Sequence, residues 1–182
     1  MSLRLSGGRK LQSPPGEIAR PTASRVRLAV MNMLAAELPG AHWLDLFCGS
    51  GVMGCEALLR GAAQVVAVEQ DRRVSAIARS NLETVASSLE PRPSLRVVQQ
   101  EVLRWLDAPQ GESFDLVYAD PPYAAGLYEP LLERLAAGEW LRPHGLVLLE
   151  HATKNPPELP AGWEVEKQKR YGSCSLMMLS RC

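Results

Sequence analysis

The chain has 182 residues, 46% of them hydrophobic and 22% charged, which fits one globular domain with a buried core. Its apolar stretches are short and interrupted by charge, and its N-terminus lacks an apolar signal region, so a cytoplasmic protein with no membrane partner is expected. The four cysteines form no C-x-x-C pair and have no histidine cluster nearby. This argues against a disulfide framework and predicts no metal site.

Basic residues are concentrated at the start of the chain. The whole chain has 20 basic and 20 acidic residues, but residues 1–27 contain six basic residues and one acidic residue. We expect residues 1–20 to form a basic arm, with a short hairpin around Leu3–Leu11, ahead of a single domain at residues 21–182. The arm either contacts a phosphate-rich partner or is a solvated tail. The candidate RNA contacts are Arg4, Arg9, Lys10, Arg20 and Arg25.

Beyond the arm, apolar patterns predict alternating helices and strands. A helix capped at Thr22 or Ser24 is followed by strands at Trp43–Phe47, Val65–Glu69, Leu95–Gln99, Phe114–Ala119, Leu146–Glu150, Trp163–Arg170 and Cys174–Ser180. The intervening helices are predicted at Val52–Arg60, Arg73–Ala86, Val102–Leu106 and Leu127–Ala137. This alternation predicts a parallel α/β sheet, and the turn at Tyr171–Ser173 adds an antiparallel hairpin at its C-terminal end.

A glycine-rich turn follows the first predicted strand. Gly49, Gly51 and Gly54 form a G-x-G-x-x-G pattern that suits a dinucleotide as well as S-adenosylmethionine (AdoMet). Asp45 precedes the glycines, where a carboxylate accepts hydrogen bonds from the ammonium group of AdoMet but repels a pyrophosphate. Glu69 ends the second strand, where it can hold both hydroxyls of a ribose in either cofactor.

The tetrapeptide Asp120-Pro121-Pro122-Tyr123 comes directly after the fourth predicted strand. It therefore faces the same crevice as the glycine turn. The prolines fix the loop and donate no N–H, so the Asp120 carboxylate and the Pro121 carbonyl can accept the hydrogens of an exocyclic amine. Tyr123 offers a face on which a base can stack. The pattern predicts a catalytic loop for methyl transfer to the amino group of a nucleic-acid base.

Several segments together resemble the RsmD-type bacterial methyltransferases, which modify N2 of a guanine in 16S ribosomal RNA. They are Gly7–Leu11, Arg20–Arg27, Leu44–Gly51, Phe114–Tyr123 and Arg170–Gly172. The resemblance implies a class I AdoMet-dependent methyltransferase (Rossmann-like) fold of seven strands in the order 3-2-1-4-5-7-6, mostly parallel. It also implies catalysis at Asp120–Tyr123 and RNA binding by the arm.

The same resemblance implies a set of AdoMet contacts. They are Thr22, Asp45, Phe47, Gly49, Ser50, Gly51, Glu69, Gln70, Glu101 and Val102. An acid at the position of Glu101 commonly contacts the adenine amino group in this fold, although an acid at the start of a helix is also favoured by the helix dipole. Glu101-Val102 stands where Asp-Ala is more usual in the family.

The expected function is methylation of a guanine in 16S ribosomal RNA by a monomer, within a small-subunit assembly particle. An N6-adenine methyltransferase is a close alternative, because the same loop serves both amines. For a DNA enzyme, an added target-reading domain would be expected. An NAD-binding oxidoreductase is disfavoured by Asp45 and by the catalytic loop. A catalytically silent RNA-binding module is disfavoured by the intact Asp120–Tyr123 segment.

Overall fold

The computed structural model of the chain describes residues 3–16, 21–108, 111–123 and 126–182, without the side chains of residues 21–23. Within these ranges, helices lie at Pro21–Met33 (α1), Val52–Leu59 (α2), Arg72–Ala86 (α3), Val102–Leu106 (α4) and Tyr128–Ala137 (α5). Strands lie at His42–Leu46 (β1), Gln64–Glu69 (β2), Ser94–Gln99 (β3), Phe114–Ala119 (β4), Leu141–Ala152 (β5), Trp163–Tyr171 (β6) and Cys174–Arg181 (β7). In the described part of the chain, no helix is both long enough and apolar enough to cross a membrane.

The strands form one sheet in the order β3-β2-β1-β4-β5-β7-β6. Neighbours from β3 to β5 are parallel, and β7 is antiparallel to both β5 and β6. This confirms the mostly parallel, seven-stranded α/β sheet expected from the sequence. The chain leaves β1 toward β2 and β3, then returns to β4 on the other side of β1. Ligands of open α/β sheets bind outside the carboxyl ends of the strands at such a reversal.

Strand residues alternate between two hydrophobic cores, one on each face of the sheet. On one face, Trp43 and Tyr118 pack with α1, α2 and α3. On the other face, Leu44 and Val117 pack with α4 and α5. Residues Val65–Val68 of β2 are buried throughout, as their unbroken apolar sequence requires for a strand covered on both faces.

Helix α3 is defined at its start by a side-chain cap. The Asp71 carboxylate accepts hydrogen bonds from the backbone N–H groups of Arg73 and Val74, at 2.8 and 2.9 Å. Such a cap contributes about 1 kcal/mol to a helix. The apolar side of α3, which includes Ala78 and Leu82, is fully buried against the sheet. This packing places the helix beside the turn that follows β1.

The described part of the arm packs on the same face as α1, α2 and α3. The expected hairpin is present: the Leu5 N–H donates to the Arg9 carbonyl at 2.9 Å, and the Leu11 N–H donates to the Leu3 carbonyl at 2.8 Å. Leu5 and Leu11 are buried in the core. Residues 3–12 are therefore attached to the domain and are not a solvated tail.

A buried carboxylate fixes the hairpin to α2. Glu56 accepts hydrogen bonds from the backbone N–H and the hydroxyl of Ser6, at 2.8 and 2.9 Å. It also pairs with Arg60 at 2.6 Å and with Arg27 at 3.4 Å. Arg27 donates in turn to the Arg4 carbonyl at 2.6 Å. Because Glu56 is fully buried, these partners offset the cost of removing its charge from water.

Several strand boundaries differ from the sequence prediction, and two of these differences have a local cause. β1 ends one residue before Phe47, because Phe47 has a φ of 58° and strand residues require a negative φ. β5 begins at Leu141, well before the predicted start at Leu146. Its register with β4 shifts just after Phe114, and such an irregularity interrupts the apolar alternation from which a strand is predicted.

Candidate active site

Four carboxyl groups lie where β1, β2, β4 and β5 end, which we call the carboxyl edge of the sheet. Asp45 is in β1 and Glu69 ends β2, whereas Asp120 follows β4 and Glu150 is near the end of β5. The charge of Asp45 helps to raise the pKa of Asp120, so the two halves of the edge form one electrostatic cluster. The sheet therefore brings the glycine-rich turn after β1 and the Asp120–Tyr123 loop after β4 to the same edge.

The turn between β1 and α2 requires glycine. Phe47, Gly49 and Gly51 have φ values of 58°, 54° and 78°. A Cβ atom at Gly51 would also lie 3.3 Å from Ala78 of α3, so the turn is packed tightly against that helix. Ser50 is buried within the turn. A bulky residue held at positive φ, as Phe47 is, is strained, and such strain concentrates at binding sites.

Glu69 is tied to the glycine turn. Its Oε2 atom accepts a hydrogen bond from the Gly49 N–H, and its Oε1 atom accepts one from the Asp71 N–H, both at 3.0 Å. Each carboxylate oxygen can accept further hydrogen bonds, so the group remains able to bind a pair of hydroxyls. Gln70 is exposed beside it, and its carbonyl accepts from the Gln99 side chain at 3.0 Å.

Asp45 is a buried carboxyl group with an unsatisfied oxygen. Its Oδ2 atom accepts a hydrogen bond from the Gly54 N–H at 3.2 Å. Its Oδ1 atom is buried and has no hydrogen-bond partner among the described residues. Burial, and to a smaller degree the charge of Glu69, raises the pKa of Asp45 to about 8, against the lowering effect of the Gly54 hydrogen bond. A cation at Oδ1 would satisfy this atom and restore its charge.

The residues expected near an adenine lie at the start of α4. Both oxygens of Glu101 accept hydrogen bonds from this helix, one from the Leu103 N–H and one from the Arg104 N–H, each at 2.9 Å. Glu101 is thus a helix cap, which matches the second role that the sequence allowed for it. Val102 is buried beside it. The side chain of Thr22 lies outside the described residues.

The loop after β4 presents two kinds of surface. Asp120 is half-buried and Pro121 is buried, whereas Pro122 is exposed and the Tyr123 side chain is 48% exposed. The acidic group is thus set into the edge of the sheet, and an aromatic ring lies open beside it. These are the four residues that the sequence predicts to be catalytic.

Glu150 joins this loop to the sheet, and the sequence prediction gave it no role. Its carboxylate accepts hydrogen bonds from the Tyr118 hydroxyl at 2.7 Å, from the Tyr123 hydroxyl at 3.3 Å and from the Cys174 thiol at 3.0 Å. Its backbone carbonyl accepts from the Tyr128 hydroxyl at 2.9 Å. The available signal was its place at the end of a buried strand, where Asp120 also stands relative to β4.

The carboxyl groups of Asp120 and Glu150 are close enough for the charge of Glu150 to affect the pKa of Asp120. Burial, then the charge of Glu150 and that of Asp45, raises the pKa of Asp120 to about 8, with a further contribution from a hydrogen bond to Glu150. Burial and contact with Glu150 also raise the pKa of the Cys174 thiol to about 12. A buried carboxyl group beside a negative charge holds its proton up to a higher pH. The site can therefore accept a proton near neutral pH.

Arg9, one of the basic residues expected to bind RNA, lies away from the carboxyl edge, beside the end of α3. Arg4, Arg9, Lys10 and Arg25 are exposed, and Arg20 lies outside the described residues. The guanidinium of Arg9 donates to the Ser88 hydroxyl at 2.9 Å. Ser88 follows the C-terminal end of α3, which is the end remote from the carboxyl edge.

Asn81 of α3, another residue without a role in the sequence prediction, connects the arm to the glycine turn. Its side chain accepts from the Gln12 N–H at 2.9 Å and donates to the Gln12 carbonyl at 3.0 Å. It also donates to the Ser50 carbonyl at 2.9 Å. Asn81 is only 2% exposed, so these three bonds satisfy it completely.

The comparisons with known proteins agree on a family. Residues 5–180 match the family model described as Conserved hypothetical protein 95. The chain is 35% identical over 175 residues to the "Ribosomal RNA small subunit methyltransferase D" of Escherichia coli strain K12, covering 96% of this chain and 85% of that protein.

Solved structures show the same architecture. The structure of yhhF from Escherichia coli has a TM-score of 0.84 and 34% identity, covering all of this chain and 98% of that one. The structure of SMU.776, solved in complex with SAH, has a TM-score of 0.67 and covers 87% of this chain and 49% of that one. Its identity of 16% supports likeness of fold alone.

Proposed function

The chain belongs to the family described as Conserved hypothetical protein 95, which includes the ribosomal RNA small subunit methyltransferase D proteins, and on this premise we propose that it transfers a methyl group from AdoMet to RNA of the small ribosomal subunit. We further propose that the acceptor is the exocyclic N2 amine of a guanine in 16S ribosomal RNA. The observation that carries the proposal is the unsatisfied, buried Asp45 carboxylate in the same electrostatic cluster as Asp120.

The residues on the β1–β2 side fit AdoMet. The ammonium group of its methionine moiety would satisfy the Asp45 Oδ1 atom, which otherwise leaves a buried acceptor unpaired. Glu69 is held at the glycine turn, where it can accept from both ribose hydroxyls. The sulfonium supplies an activated methyl group, so the main task left to the protein is alignment. A cofactor without such a cation would leave Asp45 unsatisfied.

The residues on the β4–β5 side fit a planar amine. The lone pair of a guanine N2 amine is delocalised into the base, which makes the nitrogen a weak nucleophile. The Asp120 carboxylate and the Pro121 carbonyl would hold its hydrogens and direct the lone pair toward the methyl group. Tyr123 would stack on the base, a contact worth roughly 1–3 kcal/mol, and its hydroxyl bond to Glu150 fixes the direction of the ring.

The proton balance of the reaction also fits the site. When the amine nitrogen gains the methyl group it must lose a proton. Asp120, whose pKa is raised to about 8, is a suitable base near neutral pH, because a general base works best when its pKa is close to the pH of the reaction. The negative charge of Glu150 contributes to this raised pKa and so favours proton uptake by Asp120. The choice of guanine N2 over adenine N6 comes from family membership, since this loop suits both amines.

Methyl transfer to RNA can be measured with AdoMet labelled in its methyl group. We expect label to enter 16S ribosomal RNA in small subunits that lack the modification, and we expect Asp120→Ala to lower the rate by at least about 100-fold because it removes the acceptor and base. Asp107→Ala, at an exposed carboxylate beyond α4, is the matched control.

Calorimetry with AdoMet and NAD completes the experiment. The unaltered protein and Asp120→Ala should bind AdoMet equally well, and neither should bind NAD. Binding of NAD but not AdoMet would overturn the cofactor assignment. Full turnover by Asp120→Ala would show that Asp120 is not the essential group.

A further inference from the structure

Charge is separated along the edge strand β6. Its residues from Glu164 to Arg170 are all exposed. Glu164 and Glu166 occupy the first half, and the basic residues Lys167, Lys169 and Arg170 occupy the second half. Strand pairing fixes where each half lies: Tyr171 pairs with Cys174, and Cys174 pairs with the last residue of β5. The basic half of β6 therefore reaches the carboxyl edge of the sheet, and the acidic half points away from it.

The loop after β5 adds a fourth basic residue, Lys154, beside the β6–β7 turn. Thr153 holds this turn in place. Its N–H donates to the Ser173 carbonyl at 2.8 Å, and its hydroxyl donates to the Gly172 carbonyl at 2.9 Å. The Thr153 and Ser175 hydroxyls also lie 2.8 Å apart. We call the surface formed by Lys154, Lys167, Lys169 and Arg170 the basic rim. The hydrogen bonds of Thr153 hold the backbone of this surface in a defined position.

The basic rim has no acidic partners. None of its four side chains forms an ion pair within the described residues, whose ion pairs all involve other groups. Residues 151–157 and 167–175 contain no aspartate or glutamate. Arg170 makes one bond, from its Nε atom to the Gly172 carbonyl at 3.3 Å. Unpaired charges of one sign next to a crevice attract a ligand of the opposite sign.

The basic rim lies beside the catalytic loop. Lys169, Leu176 and Glu150 are successive cross-strand partners on β6, β7 and β5, so their side chains share one face of the sheet. With neighbouring strands about 4.8 Å apart, the backbone of Lys169 lies roughly 10 Å from that of Glu150. The cofactor side of the crevice is on the opposite side of Asp120, over β1 and β2. A polymer that presents its base to Asp120 from the β5–β7 side would pass this rim.

We propose that the basic rim binds phosphates of the RNA strand that carries the target nucleotide. The proposal rests on the function proposed above and adds a second RNA-binding surface to the arm. Arg9 of the arm does not supply this contact, because its side chain is fixed near Ser88 at the remote end of α3. Phosphate neutralisation by lysine and arginine releases counterions, which makes the contribution of each contact measurable through its salt dependence.

The test compares Lys167→Gln/Lys169→Gln with Arg92→Gln/Arg181→Gln. The control pair removes the same charge from exposed residues at the opposite ends of the strands: Arg92 lies just before β3, and Arg181 is the last residue of β7. The dissociation constant for naked 16S ribosomal RNA is measured as a function of KCl concentration. We expect the rim variant to bind roughly tenfold more weakly near 0.15 M salt, and its salt slope to fall by about 0.7 per lost phosphate contact. The KM for RNA should rise, while kcat at saturating RNA and the affinity for AdoMet stay unchanged.

The outcomes separate this proposal from the proposed function. If the rim variant still methylates RNA and its RNA affinity and salt slope equal those of the control variant, the proposal that the basic rim binds RNA is wrong. The proposed function would be unaffected by that result. A lower kcat with an unchanged salt slope would also overturn it, because that pattern indicates disturbed catalysis. Failure of the unaltered protein to bind AdoMet and to methylate RNA would overturn both proposals.

Discussion

At the scale of single residues, the site is built from carboxyl groups that burial keeps from ionising readily. Asp45 and Asp120 both have a pKa raised to about 8, with burial as the largest cause in each case. The two carboxyl groups differ in their surroundings. Asp45 has an unpaired oxygen that a cation would satisfy, whereas Asp120 has Glu150 as a neighbour, whose charge helps to raise its pKa. In the proposed function, one type of side chain would thus serve cofactor binding on one side and acceptor activation on the other.

A pH profile tests the Asp120–Glu150 pair. Because the pKa of Asp120 is raised to about 8, its ionised form increases as pH rises toward and through that value, and kcat should rise with it. Bound AdoMet carries a positive charge that lowers this pKa, so both proteins are compared at saturating AdoMet. Glu150→Gln removes a negative neighbour and lowers the pKa of Asp120. We expect the rise in kcat to move about one unit or more toward lower pH.

The control for this profile is Glu133→Gln, at an exposed position on α5. It should leave the profile unchanged. If Glu150→Gln folds and binds AdoMet but its profile coincides with that of the unaltered protein, the charge of Glu150 does not act on the group that limits catalysis.

Sequence patterns predicted those residues whose role follows from their place at the end of a strand. Asp45, Glu69 and Asp120 each lie beside a recognisable turn or loop, so their meeting at one edge follows once the strands are assigned. Glu150 was missed because its partners Tyr118 and Cys174 are 32 and 24 residues away in the chain. Only the pairing of β5 with β4 and β7 makes them neighbours, and no local pattern encodes that.

At the scale of elements, Asn81 connects the arm to the glycine turn, where we propose that the cofactor binds. Its amide binds the backbone of Gln12 on one side and the Ser50 carbonyl of the glycine turn on the other. The arm was predicted as a basic surface for RNA, but the structure also gives it a mechanical connection to the turn. RNA that orders the arm would therefore also order the turn, and the two ligands would favour each other's binding.

Asn81→Ala tests this connection. The substitution removes three hydrogen bonds, so we expect weaker AdoMet binding by calorimetry, roughly three- to tenfold from a loss of about 1 kcal/mol per bond that is partly recovered by water. The arm should also become more sensitive to proteolysis. Thr84→Ala, at an exposed position on the same helix, should leave both measurements unchanged. Unaltered AdoMet affinity in a folded Asn81→Ala protein would contradict the coupling.

The boundaries of elements show where sequence patterns stop being informative. β2 was predicted nearly to the residue because it is uniformly apolar and buried on both faces. The start of β5 was missed because its pairing with β4 is irregular after Phe114. The end of β1 was placed one residue late because Phe47 looks like a strand residue but takes a φ of 58°. In both cases the geometry is set by neighbouring strands and by the turn.

At the scale of the whole molecule, the sheet order divides the carboxyl edge into two working halves. β1, β2 and the glycine turn carry the residues that fit AdoMet, and β4 and β5 carry the pair that fits the acceptor amine. β6 and β7 extend the second half to the basic rim. On the proposed function, the order β3-β2-β1-β4-β5-β7-β6 would place donor, acceptor and RNA backbone in sequence along one edge of the sheet.

The chemical identity of the methylated nucleoside tests the proposed function most directly. The protein is incubated with AdoMet and with small ribosomal subunits that lack the modification, and the 16S ribosomal RNA is then digested to nucleosides and analysed by mass spectrometry. We predict N2-methylguanosine as the product, formed by the unaltered protein and not by Asp120→Ala. N6-methyladenosine as the product, or no methylated nucleoside at all, would contradict it.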